Sequence, residues 1–175
     1  MSEREVLYEG KYQRLVRQDG WEFIERVNCT DIVVILAVTE EKKILFVEQY
    51  RVPVQNHVIE FPAGLVGDEE RYRGEELTTA AKRELLEETG YEAEQMVLLT
   101  KGPISSASIA ILMSVYQAKG LKKVGPGGGD ELESIIVHEV DIDLAEMWLR
   151  NRQKEGCLVD PKVYAGLYFL QKMES

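Results

Sequence analysis

The chain has 175 residues, 45% of them hydrophobic, enough for one domain with a sizeable core. Its 31 acidic residues outnumber 21 basic ones for a formal net charge of -10, which argues against long nucleic acid or an anionic membrane as partner, since both are polyanions. A small phosphorylated ligand stays compatible with that charge if metal ions and a few arginines neutralise it locally.

In chain order, apolar periodicity predicts extended segments at about 12 to 17, 21 to 27, 32 to 38, 43 to 49 and 57 to 61. Lys42-Lys43 follows Thr39-Glu40-Glu41 between two of these runs, which suits a hairpin. A helix through Arg83–Tyr91 comes next, then strand signals at about 95 to 100, 109 to 117 and 134 to 140. Asp141 or Asp143 can cap a second helix reaching about Glu155 and ended by Gly156, and Asp160-Pro161 starts a third. In that last helix Val163, Leu167, Tyr168, Leu170 and Gln171 form a mostly apolar stripe expected to pack on the core. These elements suit a sheet sandwiched between helices, an α/β chain read as one domain over 1–175. About residues 1–30 form an N-terminal strand region.

Cys29 and Cys157 stand far apart with no metal-ligand spacing and are read as reduced. The N-terminus has no basic region followed by an apolar one, and the longest apolar run, Ile32 to Val38, is too short to span a bilayer. The expectation is a cytoplasmic protein.

The chemistry concentrates in Arg83-Glu84-Leu85-Leu86-Glu87-Glu88-Thr89-Gly90-Tyr91. Glu84, Glu87 and Glu88 fall at i, i+3 and i+4 of one helix and share a face. At ~6 Å and an effective dielectric near 20, each pair of carboxylates repels by roughly 3 kcal/mol, a cost that a divalent cation offsets. On a fully solvated face the same repulsion shrinks to about 0.2–0.5 kcal/mol, so an acidic surface helix is the competing reading. Mg²⁺ takes one or two carboxylates and fills its shell with water and substrate phosphates, which points to metal-assisted attack on a phosphate.

Gly64, Glu75, Arg83, Glu84, Leu85, Glu87, Glu88, Gly90 and Tyr91, in that order, closely resemble the Nudix box, the metal-binding loop-helix-loop of the Nudix hydrolases. The resemblance implies a Nudix-type α/β/α sandwich with a mixed β-sheet between helices, and cleavage of nucleoside diphosphates linked to another moiety. The helical half matches at every fixed position. The loop differs: ten residues, Leu65 to Gly74, separate Gly64 from Glu75 where the family pattern has five. Surface loops absorb such insertions at small entropic cost, so the helix is read as intact. Arg71, Tyr72 and Arg73 in the inserted stretch either touch a phosphate or base or belong to a solvated loop.

Upstream, Glu48-Gln49-Tyr50-Arg51 and Glu60-Phe61-Pro62-Ala63-Gly64 resemble the Gln-Tyr-Arg and Glu-Phe-Pro-Ala-Gly elements of the ADP-ribose pyrophosphatase branch. The resemblance implies that Arg51 contacts the diphosphate, Glu60 helps bind substrate, and the Ala63 carbonyl serves a metal. A guanidinium suits that task through bidentate contacts with phosphate oxygens; the competing reading of Arg51 is a surface ion pair with a neighbour such as Glu48.

Gly125 to Glu133 lacks the Gly-Lys-Ser/Thr ending of a phosphate-binding P-loop. It reads as a glycine-rich lid delivering a general base, or as a plain flexible hairpin. The branch implies a catalytic glutamate here, Glu131 or Glu133. Lys101 to Ser108 occupies the place of a loop that lines the sugar side of the pocket in this branch, or is a turn of small polar residues. Trp21, with Tyr12 or Phe23 near it, either stacks on an adenine, often across a homodimer interface in this branch, or packs within strands. His57 and His138 are read as structural, and Asn28-Cys29-Thr30-Asp31 stands where the branch commonly carries His-Pro-Gly-Ala.

Together these readings imply a Mg²⁺- or Mn²⁺-dependent pyrophosphohydrolase of ADP-ribose or a related nucleoside diphosphate sugar, with two or more ions held by Glu84, Glu87, Glu88 and Ala63. Arg83 orients the carboxylates and Glu75 braces the loop. The alternatives are a house-cleaning hydrolase of nucleoside triphosphates and a module that binds ADP-ribose without cleaving it.

Overall fold

A computed structural model of the chain describes residues 4–29, 31–129 and 134–173. The strands are β1 (Arg4–Glu9), β2 (Gln13–Gln18), β3 (Trp21–Arg26), β4 (Asp31–Ala37), β5 (Lys43–Arg51), β6 (Asn56–Glu60), β7 (Ala63–Val66), β8 (Tyr91–Ser105), β9 (Ile109–Lys123), β10 (Ile136–Asp141) and β11 (Leu158–Val159). The helices are α1 (Leu77–Thr89), α2 (Ala145–Lys154) and α3 (Pro161–Met173).

Two curled sheets result. The larger runs β1-β2-β3-β9-β4-β7, with β8 paired to the other edge of β9; the smaller runs β10-β5-β6-β11. β4 and β9 are parallel from Ile32↔Met113 to Ala37↔Ala118, whereas β8 and β9 form a long antiparallel hairpin. The β4–β5 connection turns at Lys42, which has φ +57°, and an isolated bridge Val38↔Ile44 links the two sheets at that corner.

The period-2 alternation of β4 explains how the helices are layered. Val33, Ile35 and Ala37 join Ala80, Ala81 and Leu85 of α1 in one apolar cluster. Val34 and Leu36 face the opposite way, into a second cluster with Phe46, Ile59, Phe61, Ala145 and Leu149 of α2, and Val163 and Leu170 of α3. A central strand apolar on both faces therefore needs a helix on each side, which is the sandwich expected from the sequence.

The structure adds elements and corrects details. β1, β7 and β11 were not expected: β1 is largely exposed, β11 has two residues, and β7 follows a proline. α1 starts at Leu77, well before the motif residues that flagged it. At the second helix, the Asp141 carboxylate accepts the Asp143 N–H at the head of a short 3-10 turn, and α2 begins only at Ala145. Asp160 caps α3 by accepting the Lys162 N–H at 2.8 Å. Tyr168 and Gln171 do not belong to the buried stripe of α3: both are exposed, and Val163 and Leu170 carry the burial. Among the described residues no helix is long and apolar enough to cross a membrane.

Candidate functional site

The helix of Arg83 to Glu88 and the two upstream motifs singled out above meet in one groove of about 370 Å³, lined among others by Gln49, Arg51, Glu60, Ala63, Gly64, Arg83, Glu84, Glu87 and Glu88. Four elements supply them. β5 alternates so that Gln49 and Arg51 face the groove while Glu48 faces the opposite side. Arg51 therefore does not pair with Glu48; its Nε donates to Glu60 Oε2 of β6 at 2.6 Å. Pro62 breaks the ladder after β6, and β7 re-pairs with β4 from Val34↔Ala63 onward, carrying Ala63 and Gly64 against α1.

Gly64 is required there by close approach. A Cβ on it would stand 1.9 Å from the Glu84 carboxyl carbon, so only glycine lets that carboxylate lie against the strand. Glu88 is 3% exposed, and one of its carboxylate oxygens accepts the Ala63 N–H at 3.1 Å, which fixes α1 to β7.

Arg83 organises the other acids. Its Nη1 donates to Glu84 Oε1 at 2.8 Å and to Glu87 Oε2 at 2.9 Å, while Nε and Nη2 donate to the two oxygens of Glu75 at 3.3 and 3.2 Å. Burial opposes its charge, but the Glu75 hydrogen bond, the charge of Glu84 and the hydrogen bonds to Glu87 and Glu84 outweigh that cost and raise its pKa further above the ordinary arginine value. Part of the repulsion among the carboxylates is thus balanced from within the chain.

The donor set fits a hard divalent cation. Three carboxylates of α1 line the groove, joined there by Glu60, Asp68 and Glu69, and Arg83 engages one oxygen each of Glu84 and Glu87. Among the described residues no three His, Cys, Asp or Glu side chains form a ready-made metal cage. Mg²⁺ does not require one, because it relies on one or two carboxylates, water and substrate phosphate.

The glycine-rich segment lies at the C-terminal end of α1. Gly128 N–H donates to the Glu88 carbonyl at 2.8 Å and Gly129 N–H to the Glu87 carbonyl at 3.1 Å, satisfying carbonyls that a helix end leaves orphaned. Up to Gly129 the segment is therefore a docked strap, and Glu131 and Glu133 lie outside the described residues. Trp21 is not brought to the acidic groove. It is 62% exposed and lines a separate one with Phe23 and the β8–β9 tip at Ser106–Ala110. Lys101 belongs to β8, where its Nζ meets buried Asp31 at 2.5 Å. Arg71 and Tyr72 do not line the acidic groove either; Arg71 pairs with Glu69 at 2.8 Å.

Sequence reasoning did not assign Arg26, Gln49 or Lys162 to the groove, all of which line it. Alternation with Arg51 was the signal available for Gln49. Arg26 ends β3 and Lys162 opens α3, and nothing local in the sequence marks either. The histidines flank Glu48: His138 Nε2 at 2.8 Å, His57 Nδ1 at 3.2 Å, with Arg152 Nη2 at 2.8 Å. Cys29 and Cys157 are free and half-buried.

A family model described as the NUDIX domain matches residues 30–153. The chain is 37% identical over 152 residues to a methanol dehydrogenase activator from Bacillus methanolicus, covering 86% of this chain and 77% of that one. It is 33% identical over 152 residues, with the same coverage, to an ADP-ribose pyrophosphatase from Bacillus subtilis (strain 168). A solved structure described as an ADP compounds hydrolase superposes with a TM-score of 0.72 over 98% of this chain and 91% of that one, at 19% identity, a likeness of fold.

Proposed function

The chain belongs to the NUDIX domain family and is a Nudix hydrolase, and from that premise we propose that it cleaves the diphosphate of ADP-ribose or a related nucleoside diphosphate sugar into a nucleoside monophosphate and a sugar phosphate. The observation that carries this reading is that Arg51 and Glu60 share one groove with Glu84, Glu87 and Glu88. A triphosphate hydrolase needs the acids but not a pair of upstream residues matching the ADP-ribose branch.

Nudix hydrolases need divalent metal ions, and Mg²⁺ or Mn²⁺, two or more per site, would screen the diphosphate and ease deprotonation of the attacking water. Glu84, Glu87, Glu88 and the Ala63 carbonyl would hold them. Arg51 binds the diphosphate with its guanidinium fork, and Glu60 fixes the orientation of that fork. Arg83 keeps Glu84 and Glu87 at a set spacing, and Glu75 keeps Arg83 in place. A box glutamate, or Glu131 or Glu133, accepts the proton as the water oxygen bonds to phosphorus and the bridging P–O bond breaks.

We read 1–175 as one domain whose β1–β3 region joins two copies in a homodimer, with Trp21 stacking on the base held by the partner. Exposed Val6, Tyr8, Tyr12 and Trp21 on this meander support it. The free cysteines support a cytoplasmic location. Light scattering that returns a monomer at micromolar concentration would remove the dimer.

The deciding experiment is product analysis with Mg²⁺ against ADP-ribose, other nucleotide sugars and nucleoside triphosphates. AMP plus ribose phosphate, with triphosphates untouched, is the expected result. Pyrophosphate from a triphosphate, or tight binding with no product, overturns the substrate reading in favour of a triphosphatase or a sensing module.

A further inference from the structure

The inserted stretch between Gly64 and Glu75 forms a short turn, Glu70–Tyr72, closed by Tyr72 N–H on the Glu69 carbonyl and by Glu75 N–H on the Tyr72 carbonyl, each at 3.0 Å. This turn presents two groups to Arg83. Glu75 meets the edge of the guanidinium, and the Tyr72 ring meets its face, with the guanidinium carbon 4.0 Å from the ring centroid. Arg71 approaches the same ring at 4.5 Å and is itself held by Glu69. The Arg83 side chain is only 15% exposed, so the ring lies where water would otherwise cover a cation.

We propose that Tyr72 is a positioning residue for the metal site, acting through Arg83. The inference rests on the reading that Glu84 and Glu87 hold divalent metal. An edge contact alone leaves a guanidinium free to tilt out of plane. A ring on its face removes that freedom, and a cation held against an aromatic face in a partly dry setting is attracted to it. The plane of Arg83 then fixes which oxygen of Glu84 and which of Glu87 it engages, and so presets the two carboxylates before a cation arrives. The insertion is thereby part of the catalytic apparatus and not a spacer.

The test is Mn²⁺ binding followed by electron paramagnetic resonance on wild type, Tyr72→Phe and Tyr72→Leu, with and without a non-hydrolysable α,β-methylene nucleoside diphosphate sugar, beside thermal unfolding of the metal-free proteins. Tyr72→Leu is expected to weaken Mn²⁺ binding about three- to tenfold, and Tyr72→Phe, which keeps the ring, to stay within about twofold of wild type. A lower unfolding temperature for Tyr72→Leu with unchanged Mn²⁺ affinity makes the role merely structural and overturns the inference alone. Absence of Mn²⁺ binding by wild type in both conditions overturns the metal reading, and the inference with it.

Discussion

Gly128 donates its backbone N–H to the carbonyl of Glu88, joining the glycine-rich strap to the helical turn that carries two of the three α1 glutamates lining the groove. The strap depends on close backbone contact. Gly127 has φ +69°, and a Cβ on it would lie 2.4 Å from the Thr89 carbonyl carbon. Gly127→Ala should cost about 2 kcal/mol or more, lowering the unfolding midpoint by at least about 4 °C and reducing turnover. Calorimetry and steady-state rates measure both, and an unchanged midpoint would show that the strap is not docked in solution.

Glu87→Gln and Glu88→Gln should keep the fold while losing at least about a hundredfold in kcat, because a neutral amide is a poor ligand for a hard cation. Glutamine at 88 can still accept the Ala63 N–H through its amide oxygen, so its midpoint should stay within about 4 °C of wild type. Unchanged turnover in both variants would remove the metal assignment.

Arg51→Lys keeps the charge but loses the fork that pairs with Glu60 and suits a diphosphate. KM for the nucleotide sugar should rise about tenfold or more, with a smaller change in kcat. Equal KM values for the two proteins would place the diphosphate elsewhere.

Glu48 is 6% exposed in its side chain and lies on the far side of β5 from the groove. Burial pushes its carboxyl pKa up, but the hydrogen bond to His138 and the charge of Arg152 outweigh burial and hold it below the ordinary 4.5. A depressed folded-state pKa stabilises the fold above the unfolded value, and that contribution is lost as pH falls through the folded one. Glu48→Gln should therefore cost about 2 kcal/mol at pH 7, and its deficit against wild type should narrow below about pH 4.5. Urea unfolding at several pH values checks this; a deficit independent of pH would mean that the carboxylate charge carries none of the stability.

Legibility in the sequence varied with the range of the interactions involved. The helical spacing of Glu84, Glu87 and Glu88 and the alternation of β4 are local patterns, and both survive into the structure as one groove face and one two-sided core strand. β7 and β11 are short and gain their ladders only from partners distant in the chain, Val34 for Ala63 and Val58 for Leu158, so no window of sequence announces them. The inserted loop was legible as extra length, but the landing of Tyr72 on Arg83 was not.

By itself the sequence determined the helix of carboxylates, the apolar strands that must be covered on both faces, and a net charge suited to a small metal-neutralised ligand, since these follow from residue type and periodicity. The tertiary structure alone decided that Arg51 pairs with Glu60 and not with Glu48, that Lys162 reaches the same groove from α3, and that Gly127 rests on Thr89. Those outcomes depend on which faces of separate elements meet, and side-chain direction across long chain separations is fixed only when the core closes.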